Sequence, residues 1–425
     1  MIFSNSEDFR ELQACRICSG RFAKDSLPLV ATPLANELYE SREAALMAQI
    51  FPLEVVICEI CKHVQLKHIV SPRRLFDNYV YRSGTSFFFQ NHFASLAAFI
   101  SRNISTKRGI VVEVGSNDGC LLEELQKQNL VAVGVEPSEK LVAHSRTSGL
   151  NVKHGYLDDE TVAAIIEEYG LADVVVGNNV FAHIDDMVSA FQKVCNLLKS
   201  EGLFVFEVAD FAKLIENGIF DTIYHEHMSY HTATGLLRLL ELSNLKAVDV
   251  FEIEPHGGSL RFVVARADSS IKVNARVDER LDYESRMEVD KANVFSKINK
   301  DIQKRKEELR KLLSRAERNQ LIGYGAPAKL VTFSYQMGLE DYQIKYVVDD
   351  NELKQGHYIP GLGYEVVSAA KINDLIIGEL KSSGLSILLF PWNLSKEILE
   401  KVKSWAPKGT LIVRAFPEVL EEPIS

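Results

Sequence analysis

Ionisable side chains are concentrated in one short run of the sequence, FDTIYHEHMSYH over 220–231. Within it, Tyr224, Glu226 and His227 are close enough along the chain to converge in one pocket. A histidine oriented by a carboxylate is a competent general base near neutral pH, and a tyrosine hydroxyl can donate to a developing oxyanion. A His/Glu metal cluster and a polar surface loop are the alternatives, although the spacing differs from the i, i+4 histidines of zinc proteases. The run therefore predicts proton abstraction.

A glycine turn, EVGSNDG beginning at Glu113, closes one strand and opens a helix. Gly115 and Gly119 permit a tight turn that lets a ligand approach the backbone. Glu136 ends the next strand about 20 residues further on, where an acid can accept both ribose hydroxyls. Glu113 can anchor a cationic methionyl group, and Asn117 replaces the middle glycine that a pyrophosphate needs, so S-adenosylmethionine is favoured. NAD binding and a purely structural turn are the alternatives.

Two further motifs contribute candidate residues. Asn178 and Asn179 follow the third strand-like run, with His183 shortly after them. Ligands of open α/β sheets bind beyond the carboxyl ends of the strands, so these side chains should face cofactor and substrate, although His183 could equally be a satisfied histidine at a helix start. His256 and Gly257 begin HGGS, whose glycines interrupt a strand pattern either as a bulge or to admit a ligand; we take both as substrate-binding candidates.

A second glycine turn, GYGAPAK, ends at Lys329 and follows another strand-like run. Tyr324 and Ala326 lie in this turn, and Asp349 ends the next strand. Alone, this layout suggests a dinucleotide cofactor, because alanine is allowed in the third glycine position. Lys329 at a helix start suits a diphosphate as a point charge. A fold that binds no ligand is the alternative.

Four of the six cysteines form two C-x-x-C pairs, which supply the four thiolates that a structural Zn²⁺ prefers. The predicted metal ligands are Cys15, Cys18, Cys58 and Cys61. Incidental cysteines and a redox C-x-x-C are the alternatives. Because four protein ligands leave no open coordination position, this zinc should hold the fold and take no part in the chemistry.

The elements that must position these residues alternate between strand and helix, which is typical of parallel sheets covered on both faces. We predict an α/β protein with an N-terminal zinc-binding module and two parallel-sheet domains. The predicted segments are 1–70 for the zinc module, 71–250 for the central domain with a helical lead-in over 71–108, 251–318 for a connector with a strand and a long helix, and 319–425 for the last domain. One long amphipathic helix is expected over about 286–318.

Composition limits the classes of function. The 425 residues are 46% hydrophobic, enough for several domains, and the net charge of −10 disfavours nucleic acid as a partner. No apolar run is long enough to span a membrane, and the first residues lack a secretion signal, so a cytoplasmic protein without a membrane partner is expected.

Taken in this order, the motifs resemble the S-adenosylmethionine-dependent C-methyltransferases that build branched-chain deoxysugars on nucleotide carriers, of the mycarose and noviose type. The resemblance spans nearly the whole chain and includes the cysteine pairs, EVGSNDG, NNVFAH, YHEH, HGGS and GYGAPAK. It implies that His227 is the base, with Tyr224, Glu226 and His183 around it and Tyr79 near the donor and the sugar. It also implies an N-terminal zinc-binding module, a central Rossmann-like class I methyltransferase domain and a C-terminal second Rossmann-like domain. That last domain would hold the nucleotide-sugar, with Asn393 lining the same cleft.

The sequence thus predicts a methyltransferase acting on a carbon next to a keto group of a nucleotide-linked, dTDP-linked sugar. His227 would remove the acidified proton, and the enolate would attack the methyl group of S-adenosylmethionine. A monomer or weak dimer is expected. An NAD-dependent oxidoreductase using the last domain and a noncatalytic S-adenosylmethionine-binding zinc scaffold are the rival functions.

Overall fold

A computed structural model of the chain describes residues 8–76, 87–104, 108–314, 321–342, 344–378 and 384–424. The strands form a four-stranded, a seven-stranded and a six-stranded sheet together with a two-stranded ribbon. The predicted α/β fold class, with a cysteine-bearing amino-terminal module and two Rossmann-like domains, is confirmed. Among the helices in these ranges, none combines the length and the apolar character needed to cross a bilayer.

The amino-terminal module consists of short antiparallel strands. Its elements are β1 (Phe9–Glu11), β2 (Leu27–Thr32), α1 (Arg42–Leu46), β3 (Phe51–Ile57), β4 (Val64–Leu66), β5 (His68–Val70) and α2 (Pro72–Phe76). β1 pairs with β5, whereas β2, β3 and β4 pair in sequence within the four-stranded sheet. Alternate residues of β3, namely Phe51, Leu53 and Val55, are buried, so one face of this sheet packs into the core.

The central domain is a seven-stranded sheet with helices on both faces. Its elements are α3 (Phe87–Arg102), β6 (Ile110–Val114), α4 (Cys120–Lys127), β7 (Val131–Glu136), α5 (Glu139–Thr147), β8 (Asn151–His154), α6 (Asp159–Tyr169), β9 (Ala172–Asn178), α7 (Met187–Leu197), β10 (Leu198–Ala209), α8 (Phe211–Asn217), β11 (Ser229–Tyr230), α9 (Ala233–Leu242), β12 (Leu245–Ile253) and β13 (Ser259–Arg266). The strand-like runs of the sequence over 110–114, 131–135, 174–176 and 203–208 all lie in strands of this sheet.

The sheet order β12-β13-β10-β9-β6-β7-β8 places β6 between β9 and β7. β8, β7, β6, β9 and β10 are parallel, and β13 and β12 are antiparallel to their neighbours. The chain order reverses at β6, which creates a crevice beyond the carboxyl ends of β6 and β9. The glycine turn after β6 and the polar run after β9 therefore lie at the same edge of the sheet.

The segment between the two Rossmann-like domains differs in detail from the prediction. β13 is hydrogen-bonded inside the seven-stranded sheet, which therefore continues past residue 250. The helices here are α10 (Ala275–Arg286) and α11 (Val294–Leu313), so the single helix expected from about 286 is shorter and begins later. The chain leaves the helical conformation because Glu288 adopts a φ of 53° and the next residue, Val289, turns inward and is fully buried.

The carboxy-terminal domain repeats the same architecture on a smaller scale. Its elements are β14 (Leu321–Tyr324), α12 (Lys329–Met337), β15 (Tyr346–Val348), β16 (Glu365–Val367), α13 (Ala369–Gly378), β17 (Ser386–Leu389), α14 (Ser395–Lys403), β18 (Leu411–Arg414) and β19 (Leu420–Pro423). The order is β16-β15-β14-β17-β18-β19, parallel except for β19. β14 occupies the position that β6 has in the central sheet, so its glycine turn also faces a crevice.

The amino-terminal module is joined to both larger domains through its sheet. β11 of the central domain pairs with β4 and completes the four-stranded sheet. At the opposite edge, the side-chain amide of Gln336 on α12 accepts from Val30 N–H at 2.9 Å and donates to Val30 C=O at 3.0 Å. Both edges of the sheet are thus contacted by another part of the chain. β11 lies inside the run 220–231, hereafter the histidine-rich run, two residues after His227.

Candidate active site

The turn after β6 has the conformation that its glycines predict. Gly115 and Gly119 have φ values of 69° and 85°, and Asn117 also lies in the left-handed region at 49°. A Cβ on Gly115 would lie 2.7 Å from the side chain of Val180, so the turn packs directly against the loop after β9. The predicted cofactor residues of these two loops are therefore neighbours.

Acidic side chains surround this turn. Glu136 accepts hydrogen bonds from Asn117 N–H and Ser138 N–H, both at 2.9 Å, and so fixes the turn from the end of β7. Glu113 is buried, and its Oε2 has no hydrogen-bond partner among the described residues. Burial raises the pKa of Glu113 well above its usual range, and the charges of Asp118 and Glu136 raise it further. A cationic ligand would relieve this repulsion, which fits the amino group and sulfonium of S-adenosylmethionine.

The loop after β9 lies between the glycine turn after β6 and the histidine-rich run. Asn179, with a φ of 54°, donates from its side chain to the Asn178 amide oxygen at 2.6 Å, and both side chains are half-buried in the crevice. Further along this loop, the carbonyl oxygen of Ala182 accepts from Met228 N–H at 2.8 Å. One short loop therefore contacts the predicted cofactor turn on one side and the predicted catalytic run on the other.

His227 is held in one tautomer. Its Nδ1 lies 2.8 Å from the carbonyl oxygen of Thr222, which can only accept, so Nδ1 carries the proton. Nε2 then accepts from the hydroxyl of Tyr224 at 2.8 Å, and the two rings lie 4.0 Å apart between centroids. Desolvation lowers the pKa of His227 well below its ordinary value, with a further contribution from His183. The imidazole is therefore neutral and presents Nε2 as a base.

Glu226 does not orient His227, contrary to the sequence-based expectation. Both of its carboxylate oxygens accept from Asn36 Nδ2, at 2.7 and 2.9 Å, so the carboxylate is directed to the amino-terminal module. Burial raises the pKa of Glu226 to about 7. The orienting role that the sequence assigned to this carboxylate is taken by the backbone carbonyl of Thr222.

His183 lies beside His227, the residue proposed from the sequence as the base. Its Nδ1 donates to the carbonyl oxygen of Glu226 at 2.9 Å, and its ring lies 5.0 Å from that of His227 in an edge-on arrangement. Burial lowers the pKa of His183 to about 4, so this ring is also neutral near pH 7. The structure thus brings together Tyr224, His183 and His227, whereas Tyr79 lies outside the described residues.

The histidine-rich run is held from two sides. From the amino-terminal module, the carbonyl oxygen of Pro52 accepts from His225 Nε2 at 3.2 Å. From the carboxy-terminal domain, Thr332 donates its hydroxyl hydrogen to the carbonyl oxygen of Ile223 at 2.8 Å. These contacts and the pairing of β11 with β4 fix the backbone on both sides of His227.

His256 and Gly257 lie where the central and carboxy-terminal domains meet. His256 has a φ of 58°, and Gly257 has a φ of 84°. A Cβ on Gly257 would lie 2.4 Å from the ring of Trp392, so the glycine admits a close approach of the other domain. Burial lowers the pKa of His256 to about 4, and the charge of Lys329 lowers it further. Of the two alternatives for these glycines, close approach is the one observed, although the group admitted is a tryptophan.

Lys329 is at the same junction, as a half-buried cation at the start of α12. Its Nζ donates to the Asn393 side-chain oxygen at 2.8 Å and lies 3.9 Å from the centre of the Trp392 ring. Burial lowers the pKa of Lys329 to about 8, opposed by the nearby charge of Asp221. Asp221 accepts from Trp392 Nε1 at 2.8 Å, so a carboxylate of the histidine-rich run contacts the indole that packs against this lysine.

The other candidates of the carboxy-terminal turn have structural partners. Asp349 accepts from Ala326 N–H at 2.6 Å, as Glu136 does from Asn117 in the central domain. Tyr324 is buried and donates to Asp350 at 3.2 Å. The two glycine turns are therefore held in the same way, each by an acid at the end of the neighbouring strand.

The four paired cysteines form one cluster, as predicted. Their Sγ atoms all lie within 4.8 Å of one another, with Cys15 and Cys61 at 3.6 Å and Cys18 and Cys58 at 3.5 Å. A disulfide requires about 2.05 Å, whereas four thiolates about 2.3 Å from a tetrahedral zinc lie about 3.8 Å apart. The observed separations fit the metal, and the four sulfurs leave no vacant ligand position.

Two residues of this site were not predicted from the sequence. Asn36 belongs to the amino-terminal module, far from any motif, and nothing in the sequence indicates that it contacts Glu226. Asp221 lies within the histidine-rich run itself, so its charge among apolar neighbours was an available signal.

Comparison with known proteins gives the family. The chain is 30% identical to the C-methyltransferase NovU of Streptomyces niveus over 416 residues, which cover 96% of each protein. The chain belongs to the S-adenosylmethionine-dependent C-methyltransferases. Family models agree with this placement: a C-methyltransferase C-terminal domain matches residues 254–417, a methyltransferase domain matches 88–250 and a zinc binding domain matches 15–76.

Solved structures of methyltransferases align with less than half of this chain. An S-adenosylmethionine-dependent methyltransferase of Clostridium acetobutylicum aligns with 43% of this chain and 93% of its own, at 14% identity and a TM-score of 0.34. The CcbJ methyltransferase of Streptomyces caelestis aligns with 45% of this chain and 95% of its own, at 12% identity and a TM-score of 0.34.

This C-methyltransferase therefore uses S-adenosylmethionine as its methyl donor and contains a structural zinc site. The acids around the turn after β6 are the groups that would hold the donor, and the four thiolates are the zinc ligands.

Proposed function

We propose that this C-methyltransferase methylates the carbon next to a keto group of a nucleotide-linked deoxysugar, with dTDP as the carrier and His227 as the base. The observation that carries the proposal is the neutral imidazole of His227. Its Nε2 accepts a hydrogen bond from the Tyr224 hydroxyl, and not from a group that would keep Nε2 protonated. A C–H next to a carbonyl is acidic enough for such a base, because the negative charge moves to the oxygen.

The proposed reaction uses the residues as follows. S-adenosylmethionine supplies an electrophilic methyl group when bound in the crevice. Nε2 of His227 takes the proton from the carbon, and the Thr222 carbonyl stabilises the imidazolium through the hydrogen on Nδ1. Tyr224, released from Nε2, turns its hydroxyl to the enolate oxygen. The enolate carbon bonds to the methyl carbon while the sulfur–methyl bond breaks, which leaves a neutral thioether and balances the charge.

The carboxy-terminal domain supports a nucleotide-linked acceptor. Lys329 is a cation inside the junction of the two domains, and its side chain lies against Trp392 and Asn393. Among the described residues, Lys329 forms no ion pair, and the nearby acid Asp221 is itself bonded to Trp392. A diphosphate would supply an anion to this lysine. The indole and amide beside it suit a nucleoside diphosphate more than a free sugar.

A thermal-shift panel tests this proposal before the sugar is known. We expect S-adenosylhomocysteine to stabilise the protein by about 2.7 kcal/mol at a hundredfold excess over its Kd, and dTDP to add to that shift. UDP, GDP and CDP serve as control nucleotides for dTDP, and NAD serves as the control cofactor for S-adenosylhomocysteine. The Lys329→Gln variant should lose the nucleotide shift and keep the S-adenosylhomocysteine shift. A response to NAD alone would favour the oxidoreductase, and no response to any nucleotide would exclude the proposed acceptor.

The pH dependence of kcat/KM reports on the base. Because desolvation holds the pKa of His227 below its ordinary value, the imidazole stays unprotonated as the pH falls to about 6.5. We therefore expect no acidic limb in kcat/KM at or above about pH 6.5, and a decline only in more acidic buffer. Initial rates across this range measure it, and an acidic limb centred at or above about pH 6.5 would contradict the assignment.

A further inference from the structure

A buried arginine connects the zinc module to the catalytic loops. Arg16 lies between Cys15 and Cys18 in the first cysteine pair, and 4% of its side chain is exposed. We propose that Arg16 is a positioning residue that sets the separation between the loop carrying His183 and the loop carrying His227. This inference rests on the proposed function, because it concerns the placement of the proposed base.

The contacts of Arg16 are divided between the two loops. One terminal nitrogen donates to the carbonyl oxygens of Ile184 at 3.1 Å and Asp185 at 2.9 Å. The other donates to the carbonyl oxygen of Met228 at 2.7 Å and to the hydroxyl of Ser229 at 2.6 Å. Ile184 directly follows His183 and Met228 directly follows His227, so one guanidinium holds the residue after each histidine.

The other end of the arginine is anchored in the metal module. Arg16 directly follows the zinc ligand Cys15 and lies two residues before the zinc ligand Cys18. Its backbone N–H donates to the Gln65 side chain at 3.2 Å. A guanidinium is planar with donors in a fixed fork, so the two sets of acceptors are held at a set angle and distance. A tetrathiolate zinc centre would hold the backbone of Arg16 rigidly in place.

The charge of Arg16 is retained inside the protein. A guanidinium is always protonated in proteins, and the carboxylate of Asp185 lies 3.7 Å from that of Arg16. The arginine therefore binds its carbonyl partners through charge-assisted hydrogen bonds.

The positions of His183 and His227 depend on the hydrogen bonds of the Arg16 guanidinium to the two loops. Their rings lie 5.0 Å apart, and the loops also touch through the hydrogen bond from Met228 N–H to the Ala182 carbonyl oxygen. A displacement of about 1 Å in a reacting group can cost about 10²-fold in rate. Lysine in place of Arg16 keeps the charge but provides one nitrogen, which cannot reach both loops in the same geometry.

The test is the Arg16→Lys variant of the full chain, compared with Arg10→Ala. Arg10 is exposed and pairs with the carboxylate of the same Asp185, at 2.6 Å, so it is the matched control. Four quantities are measured: zinc per chain, the Kd of S-adenosylhomocysteine, kcat, and the ring ¹⁵N shifts of histidine-labelled protein. We expect Arg16→Lys to lower kcat by about 10- to 100-fold and to move the ¹⁵N shifts of His183 and His227. Zinc content and Kd should stay within twofold, and Arg10→Ala should change none of the four.

Either of two results would overturn the proposal. Unchanged ring shifts of both histidines would show that Arg16 does not position them. Loss of zinc or of S-adenosylhomocysteine binding in Arg16→Lys would show that it supports the whole fold. The ring shifts need no acceptor, so they test Arg16 even if the base assignment fails; that failure would appear separately, as activity retained without the His227 imidazole.

Discussion

Replacing His227 with alanine is expected to lower kcat by about 10³-fold or more and to leave the Kd of S-adenosylhomocysteine within about twofold. The imidazole is the group whose Nε2 is oriented for proton transfer, with Nδ1 fixed on Thr222 and Tyr224 at the other nitrogen. The donor turn after β6 is held by Glu136 and does not depend on this ring. Methyl transfer rates and calorimetric titration of S-adenosylhomocysteine measure the two effects.

The matched control is His225→Gln in the same run. His225 is buried and its Nε2 donates to the Pro52 carbonyl oxygen, a bond that the glutamine amide can reproduce. This variant should keep most of the activity, which separates loss of the base from disturbance of the run. Equal loss of turnover and of donor binding in His227→Ala would contradict the assignment, because it would indicate that the ring supports the crevice as a whole.

Replacing Cys58 with serine is expected to remove the zinc and to lower the free energy of unfolding by about 4 kcal/mol or more. A serine hydroxyl is a poor ligand, and the three remaining thiolates leave the tetrahedral site incomplete. The loss should reach the active site, since β4 follows this cysteine closely and pairs with β11 beside His227. Zinc per chain by atomic spectroscopy and the unfolding transition in urea measure the two quantities.

Cys195→Ser provides the control for that experiment. Cys195 is also buried, but its thiol donates to the Asn244 carbonyl oxygen at 3.6 Å, remote from the four clustered sulfurs. Serine can make the same hydrogen bond, so zinc content and the unfolding transition should change little. Unchanged zinc in Cys58→Ser would refute the metal assignment.

Much of this architecture could be predicted because it depends on local patterns. The run Ile110–Val114 is apolar except for Glu113, as expected of a strand buried on both faces, and the observed strand has the same bounds. The geometry of the two cysteine pairs and of the two glycine turns likewise depends on residues that are only a few positions apart. The tautomer of His227, by contrast, depends on a backbone carbonyl five residues away, which no side-chain motif encodes.

The contacts that could not be predicted are those between distant segments. Glu226 and His227 are adjacent in sequence, which suggested that they act together, but consecutive side chains commonly point in different directions. The partner of Glu226 is Asn36, 190 residues away, and the partners of Arg16 lie 168 to 213 residues away. Such pairs arise from the packing of domains, and a single sequence holds no period or spacing that reveals them.

The pairing of β4 with β11 has a consequence for the order of folding during synthesis. The four cysteines lie within the first part of the chain, so metal binding can begin as soon as that part has been made. The outer strand of its sheet, however, comes from a segment 166 residues further along, as the contact of His63 with Ser229 shows. The edge of β4, with the apolar Val64 and Leu66, is therefore unprotected on the ribosome until the histidine-rich run emerges. The sheet of the zinc module therefore starts to form early and is completed only when β11, near the middle of the 425 residues, has been made.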